Sequence, residues 1–153
     1  MTAISSKSRT SWSNSAVLCL DTNVVIFFMN RRQPHIVERL RGEFEKAEHV
    51  VLSSVALFEL EFGIAASGRR AENEAALAKF LTGVSDVLPF DADDAREAGD
   101  IRAALKQAGT PIGPYDALIA AQARRRGARL ATLNAREFTR VGGLAVEDWA
   151  QPI

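Results

Sequence analysis

Carboxylates carry most of the chemistry that this 153-residue sequence could perform. Its single cysteine, Cys19, can neither close an internal disulfide nor build a cysteine zinc site. Two histidines, His35 and His49, are too few for most histidine-rich metal centres. Asp21 stands out because it immediately follows the apolar run 16–20, AVLCL. That run has the pattern of a buried parallel strand, and open parallel sheets bind ligands beyond the carboxyl ends of their strands. The same aspartate could cap a helix starting at Thr22, so both roles stay open here.

Glu59 and Glu61 interrupt the otherwise apolar helical stretch 55–64. A helix turns about 100° per residue, so these side chains lie about 200° apart and cannot share a pocket. Both faces are apolar, and periodicity does not choose between them. Gly63, one turn beyond Glu59, gives a slight preference for Glu59 by leaving room beside it. Asp116 falls in the first turn of a helix introduced by Gly113-Pro114. Free N–H groups and the partial positive helix end favour an ionised carboxylate there, for stability alone or for a site. Asn134 lies just past a strand ending at Thr132, where it could coordinate a cation or cap a helix starting at Ala135. Asp21, Glu59 and Asp116 can all converge on one edge of a sheet. Oxygen donors of this kind suit Mg2+ or Mn2+ better than zinc, and close carboxylates need a cation between them to remain ionised. The chemistry such a centre supports best is phosphodiester hydrolysis, with a metal-activated water and a stabilised leaving oxygen.

The elements that must position these groups alternate. Residues 16–20, 50–52, 86–90, 129–132 and 144–146 read as short strands. Helices are predicted from Thr22 to the break at 30–34, from Pro34 to about Ala47, and from Ser53 or Ser54 to about Ser67, with Gly68 as the stop. Further helices cover about 71–81, a long segment capped by Asp91 and ending near Gly109, Pro114 to about Arg126, and 135–140. This alternation predicts an α/β sandwich with a mostly parallel central sheet flanked by helices. Residues 1–15, rich in Ser and Thr, are expected to be a flexible extension on which Trp12 could dock, leaving 16–153 as one domain.

Nineteen Lys and Arg balance nineteen Asp and Glu, which excludes a histone-like, tail-driven nucleic-acid binder. Hydrophobic residues at 47% and charged residues at 25% exclude global disorder. The longest apolar run, 24–29, is far short of a membrane span, and 16–20 is too short for a signal-peptide core, so the chain is expected in the cytoplasm. Fifteen of the basic residues are Arg, with clusters at Arg31-Arg32, Arg69-Arg70 and Arg124-Arg125-Arg126 near Arg129. Arginine suits phosphate, so the run Arg124 to Arg126 is a candidate RNA contact, although cations also favour a helix's last turn. Asp93, Glu97 and Asp100 make an acidic stripe that reads as a solvated face rather than a second metal site.

Four segments, in order, resemble PIN-domain ribonucleases, and in particular the VapC toxins of type II toxin–antitoxin systems with their FitB-like relatives. They are Leu20-Asp-Thr-Asn-Val24, Glu59-Leu-Glu-Phe-Gly63, Ile112-Gly-Pro-Tyr-Asp116 with Leu118-Ile-Ala-Ala121, and Thr132-Leu-Asn134 with Arg136-Glu-Phe138. The resemblance spans about residues 16–150. It implies a PIN-like three-layer sandwich and a Mg2+-dependent endoribonuclease, with Mn2+ as a substitute. It also implies a homodimer and a small VapB-like antitoxin whose C-terminal segment blocks the active site. Asp21, Glu59 and Asp116 match the family's three strongest acidic positions, which selects Glu59 over Glu61. Thr22 matches a hydroxyl that supports the metal site, and Thr132 and Asn134 take supporting places. The fourth position, often Asp in such domains, is Asn134, which makes the site less negative. That departure is the argument for the alternative reading, a catalytically weakened PIN-like module that binds RNA or protein. A phospho-acceptor receiver domain would want adjacent acids after the first strand, and a haloacid-dehalogenase phosphatase a second Asp at position 23, where Asn23 stands.

Overall fold

The structure is a computed structural model describing residues 16–46 and 49–152. The expected extension 1–15, including Trp12, and the expected helix end at Ala47 lie outside the described residues. Five strands form one sheet: β1 (Val17–Leu20), β2 (His49–Ser53), β3 (Asp86–Leu88), β4 (Arg129–Thr132) and β5 (Ala145–Asp148). Their order is β3-β2-β1-β4-β5, and all four pairings are parallel. Seven helices among the described residues flank the sheet: α1 (Thr22–Met29), α2 (Pro34–Glu45), α3 (Ser54–Ala65), α4 (Arg70–Leu81), α5 (Ala92–Gln107), α6 (Pro114–Arg125) and α7 (Ala135–Phe138).

The strand order explains why the sequence of β1 does not alternate. All four of its residues are buried, because it is the central strand and both faces are covered. From β1 the chain builds outward through β2 and β3, then returns to place β4 on the other side of β1. The switch point of the sheet is therefore the crevice between the carboxyl ends of β1 and β4, where open α/β sheets bind ligands. Leu20 is in register with Leu52 and Ala131, and the Asp21 N–H donates to the Ala131 carbonyl at 2.9 Å. Asp21 thus emerges level with Ser53 and Thr132, at the crevice itself.

Several boundaries differ from the sequence expectation for identifiable reasons. β3 stops at Leu88 rather than 90, since Pro89 has no N–H to donate to a ladder. α3 ends at Ala65, where the Ser67 hydroxyl donates to the Ile64 carbonyl at 2.7 Å, ahead of Gly68. Gly109 and Gly127 adopt φ of +74° and +62° and close the ends of α5 and α6 in the left-handed conformation that glycine tolerates. α7 is a single turn ending at Phe138, and β5 extends to Asp148 instead of ending at 146.

Among the described residues no helix is long and apolar enough to cross a membrane. Helices α5 and α6 are joined by charge. Asp91 and Asp94 form a reciprocal capping box at the start of α5. Asp94, fully buried, also accepts from Arg125, from Arg126 at 3.2 Å and from the Gln122 amide at 3.1 Å. Arg124 donates to Glu97 at 2.6 Å and to the Gly142 carbonyl at 2.9 Å. Part of the expected solvated stripe is therefore an inter-helix contact, since Asp93 and Glu97 both face arginines of α6.

Candidate active site

The capping preference of Asp21 and its place in the crevice turn out to be compatible. It is the N-cap of α1, its carboxylate accepting from the Thr22 N–H at 2.8 Å. The other carboxylate oxygen, Oδ2, accepts from the Thr132 hydroxyl at 2.8 Å, and Thr132 accepts in turn from the Asn134 N–H at 2.9 Å. The strand end of β4 thereby holds the aspartate that follows β1. Across the crevice, the Thr22 hydroxyl donates to Glu59 Oε1 at 2.6 Å, which draws α3 to the start of α1. Glu59 takes the inward face and Glu61 is exposed, so the choice that periodicity left open is made by packing. The space at Gly63 is open, since a Cβ there would meet nothing within 4 Å, and Gly63 and Glu59 line one further cavity.

Asp116 arrives from the first turn of α6, whose N-cap Gly113 provides no side-chain cap. A Cβ on Gly113 would lie 3.1 Å from Asp116 Oδ2, so the glycine clears space for the carboxylate. The Gly113 N–H donates to Glu137 Oε1 at 2.9 Å, and the Asn134 amide donates to Glu137 Oε2 at 2.9 Å. Asn134 occupies the N-cap position of α7 without a side-chain cap bond; its amide positions Glu137. Glu137 is the site residue that residue-by-residue reasoning missed. Its signal was the separation of three from Asn134, one helical turn, within the segment 132–138 that carried the family resemblance.

Asp21, Thr22, Glu59, Asp116 and Asn134 line a single cavity of about 540 Å³, with Phe58, Phe62 and Tyr115 among its other walls. Burial pushes the Asp21 carboxyl up, against hydrogen bonds from Thr132 and Thr22 that stabilise its charge; Glu59 and Glu137 push it up further. Asp116 is pushed up to about 7, by burial first, then by its hydrogen bond with Glu137 and the charges of Asp21, Glu137 and Glu59. Glu137 moves the other way, because the Gly113 N–H and the Asp116 carboxyl both donate to its charged form. The pair therefore favours a protonated Asp116 beside a charged Glu137. By contrast Cys19, within β1, is fully buried and its thiol is pushed up to about 12, which removes thiolate chemistry.

The donor set tests whether a divalent cation fits. It is entirely oxygen, and among the described residues none of its acids forms an ion pair with Lys, Arg or His. Burial, the hydrogen bond with Glu137 and the negative charges of Asp21, Glu137 and Glu59 push Asp116 up to about 7, and no cation offsets them at Asp116 itself. A hard cation such as Mg2+ matches both the ligand type and the missing positive charge. No group of three such side chains among the described residues is already closed around one point.

The arginines lie elsewhere. Arg124, Arg125 and Arg126 sit at the far end of α6, about 12–15 Å along the helix from Asp116, and each donates to a carboxylate of α5. Arg69 and Arg70 pair with Glu72 and Glu74, and Arg129 bridges Glu147 and Glu43 at 2.8 and 3.3 Å. Their commitment to carboxylates is a tertiary fact that clustering in the sequence did not disclose.

Comparison with known proteins agrees with this geometry. The chain is 42% identical over 131 residues to a tRNA(fMet)-specific endonuclease VapC of Shigella flexneri, covering 86% of this chain and 96% of that protein. In three dimensions it resembles VapBC2 of Rickettsia felis bound to a promoter DNA fragment, with a TM-score of 0.80, 31% identity and coverage of 87% and 98%. DNA-bound VapBC of Salmonella typhimurium is similar at a TM-score of 0.78 and 38% identity, covering 86% of this chain and 97% of that one. Residues 18–144, from the strand that delivers Asp21 to just past the helix that carries Glu137, match the PIN domain, and the chain belongs to that family.

Proposed function

We propose that this protein is an endoribonuclease toxin of the VapC kind, dependent on Mg2+ or Mn2+ and held in check by a small VapB-like antitoxin. The observation that carries the reading is the cavity at the β1–β4 switch point, where Asp21, Glu59 and Asp116 line one wall system with Glu137 behind Asp116. Nuclease relatives at 42% identity and toxin–antitoxin complexes of the same fold support it. Asp21, Glu59 and Asp116 would hold the metal. Bound there, it would lower the pKa of an attacking water and stabilise the leaving oxygen.

The chain's own groups do the rest. Thr132 and the Thr22 N–H fix the rotamer of Asp21, and the Thr22 hydroxyl aims Glu59 across the crevice. Glu137, pinned by Gly113 and Asn134, stays charged and accepts a hydrogen bond from the Asp116 carboxyl, which favours the protonated form of Asp116 until a cation takes the proton's place. The cytoplasm supplies both RNA and a co-produced antitoxin, and a homodimer is the assembly that the family resemblance implies.

Cleavage of total RNA by the wild type and Asp21→Asn, with Mg2+ and with EDTA, tests the reading. Cleavage by the wild type alone, abolished by EDTA, is expected. Equal cleavage by both proteins overturns the assigned site, and no cleavage by either favours the binding module that Asn134 suggested.

A further inference from the structure

Among the described residues three large apolar side chains are exposed, Phe58 at 52%, Phe62 at 67% and Tyr115 at 47%, and all three line the acidic cavity. Single exposed apolar residues are ordinary on a protein surface, but a gathering of them around one opening marks an interaction site. Phe58 precedes Glu59 and Tyr115 precedes Asp116, so α3 and α6 each deliver an acid and an aromatic ring to the same cavity. Phe58 and Tyr115 meet edge to face, with ring centroids 5.7 Å apart and planes at 67°. This arrangement braces both rings, yet each keeps about half its surface in water, where a flat group can stack. Phe62 lies one helical turn beyond Phe58 on the same face of α3.

Acids and aromatic rings in one cavity match the two ends of a nucleotide. The acids serve a phosphate through a cation, and the rings offer a planar apolar face. We propose that Phe58 and Tyr115, extended by Phe62, form a stacking platform for an unpaired nucleobase next to the phosphodiester that the acids act on. The proposal rests on the endoribonuclease reading of this cavity and deepens it. Every base presents a π face, so such a platform adds affinity without reading base identity through hydrogen bonds.

The test is titration of a fluorescein-labelled single-stranded RNA of mixed sequence with the full chain in Ca2+, followed by anisotropy. Phe58→Leu is the decisive variant, because it keeps apolar area on an exposed position and removes the π face. Phe58→Leu and Tyr115→Leu are each expected to raise Kd about tenfold. Phe58→Trp keeps wild-type affinity, and its indole emission falls as RNA binds. Wild-type affinity in the Phe58→Leu protein overturns the platform, as does a wild type that binds no RNA. A change of mass in light scattering with RNA affinity unchanged makes the rim a contact between copies and also overturns it. Cleavage in Mg2+ is scored separately. Cleavage that is indifferent to Phe58→Leu, with affinity also unchanged, sinks the platform alone. Phe58-dependent binding without cleavage sinks the nuclease reading and keeps the platform.

Discussion

Asp94 and Asp116 are both drawn into the protein, and their carboxyls move in opposite directions. Burial pushes Asp94 up, but the Asp91 N–H, Arg125, Gln122 and the charge of Arg126 outweigh it and hold the group below its ordinary value. Asp116 has no cation to offset burial, and its neighbours Asp21, Glu137 and Glu59 add to the push. The first aspartate is neutralised by its own chain and holds two helices together. The second is left unneutralised at a sheet's switch point. Elsewhere the fold supplies guanidinium groups to its carboxylates freely, and the proposed metal site is where Asp21, Glu59 and Asp116 go without one.

The largest expected effect that separates the two regions is on catalysis. Asp116→Asn should lower RNA cleavage by about 1000-fold, as judged by initial rates on total RNA. The same variant in EDTA should melt no lower than the wild type, because the amide replaces a carboxyl whose charged form is disfavoured by burial and by negative neighbours. A large loss of Tm in EDTA would put Asp116 in the structural class with Asp94. The reverse experiment comes next. Asp94→Ala leaves Arg125 and Arg126 facing an empty carboxylate site, and should cost about 3 kcal/mol in urea unfolding, with activity per folded molecule kept. Undiminished stability would mean that the network is replaceable by water.

Smaller effects sharpen the contrast. Thr132→Val removes the hydroxyl that orients Asp21 without adding or removing charge, and should reduce cleavage about tenfold while Tm changes little. A rate equal to wild type would show that the Thr22 N–H alone orients the carboxylate. The least effect is on acid stability. The folded-state pKa of Asp94 is depressed below 3.8, so its contribution is present above that value and is lost as pH falls through the folded pKa. The Tm gap between wild type and Asp94→Asn should therefore hold from neutral pH to about 5 and narrow below 3.8. A gap that closed nearer neutrality would contradict the depressed pKa.

Much of the fold was legible because it follows local rules. The uninterrupted apolar run of β1, the proline at the start of α6 and the Asp91 cap of α5 are signals contained in a few adjacent residues. Boundaries were less legible where a short strand or a single turn depends on its neighbours, as in β5 and α7. The acids of the site were visible as candidates through their places at strand and helix ends. Their mutual geometry was not, because Glu59 and Thr22 are 37 positions apart and Thr132 and Asp21 are 111.

The amino-acid sequence by itself determined the alternation of strand and helix, the oxygen-only chemistry and, through its ordered segments, the resemblance to PIN-domain ribonucleases. Only the tertiary structure decided which charges stay free. It directed Arg125 and Arg126 to Asp94, left Asp21, Glu59 and Asp116 without an ion pair, and set Glu137 beside Asp116. It also placed Phe58 and Tyr115 in contact across two helices. The physical reason is that a charge or a ring acquires its role from what lies within a few ångströms. Residues far apart in the chain become neighbours only when the sheet is ordered and the helices are packed on it.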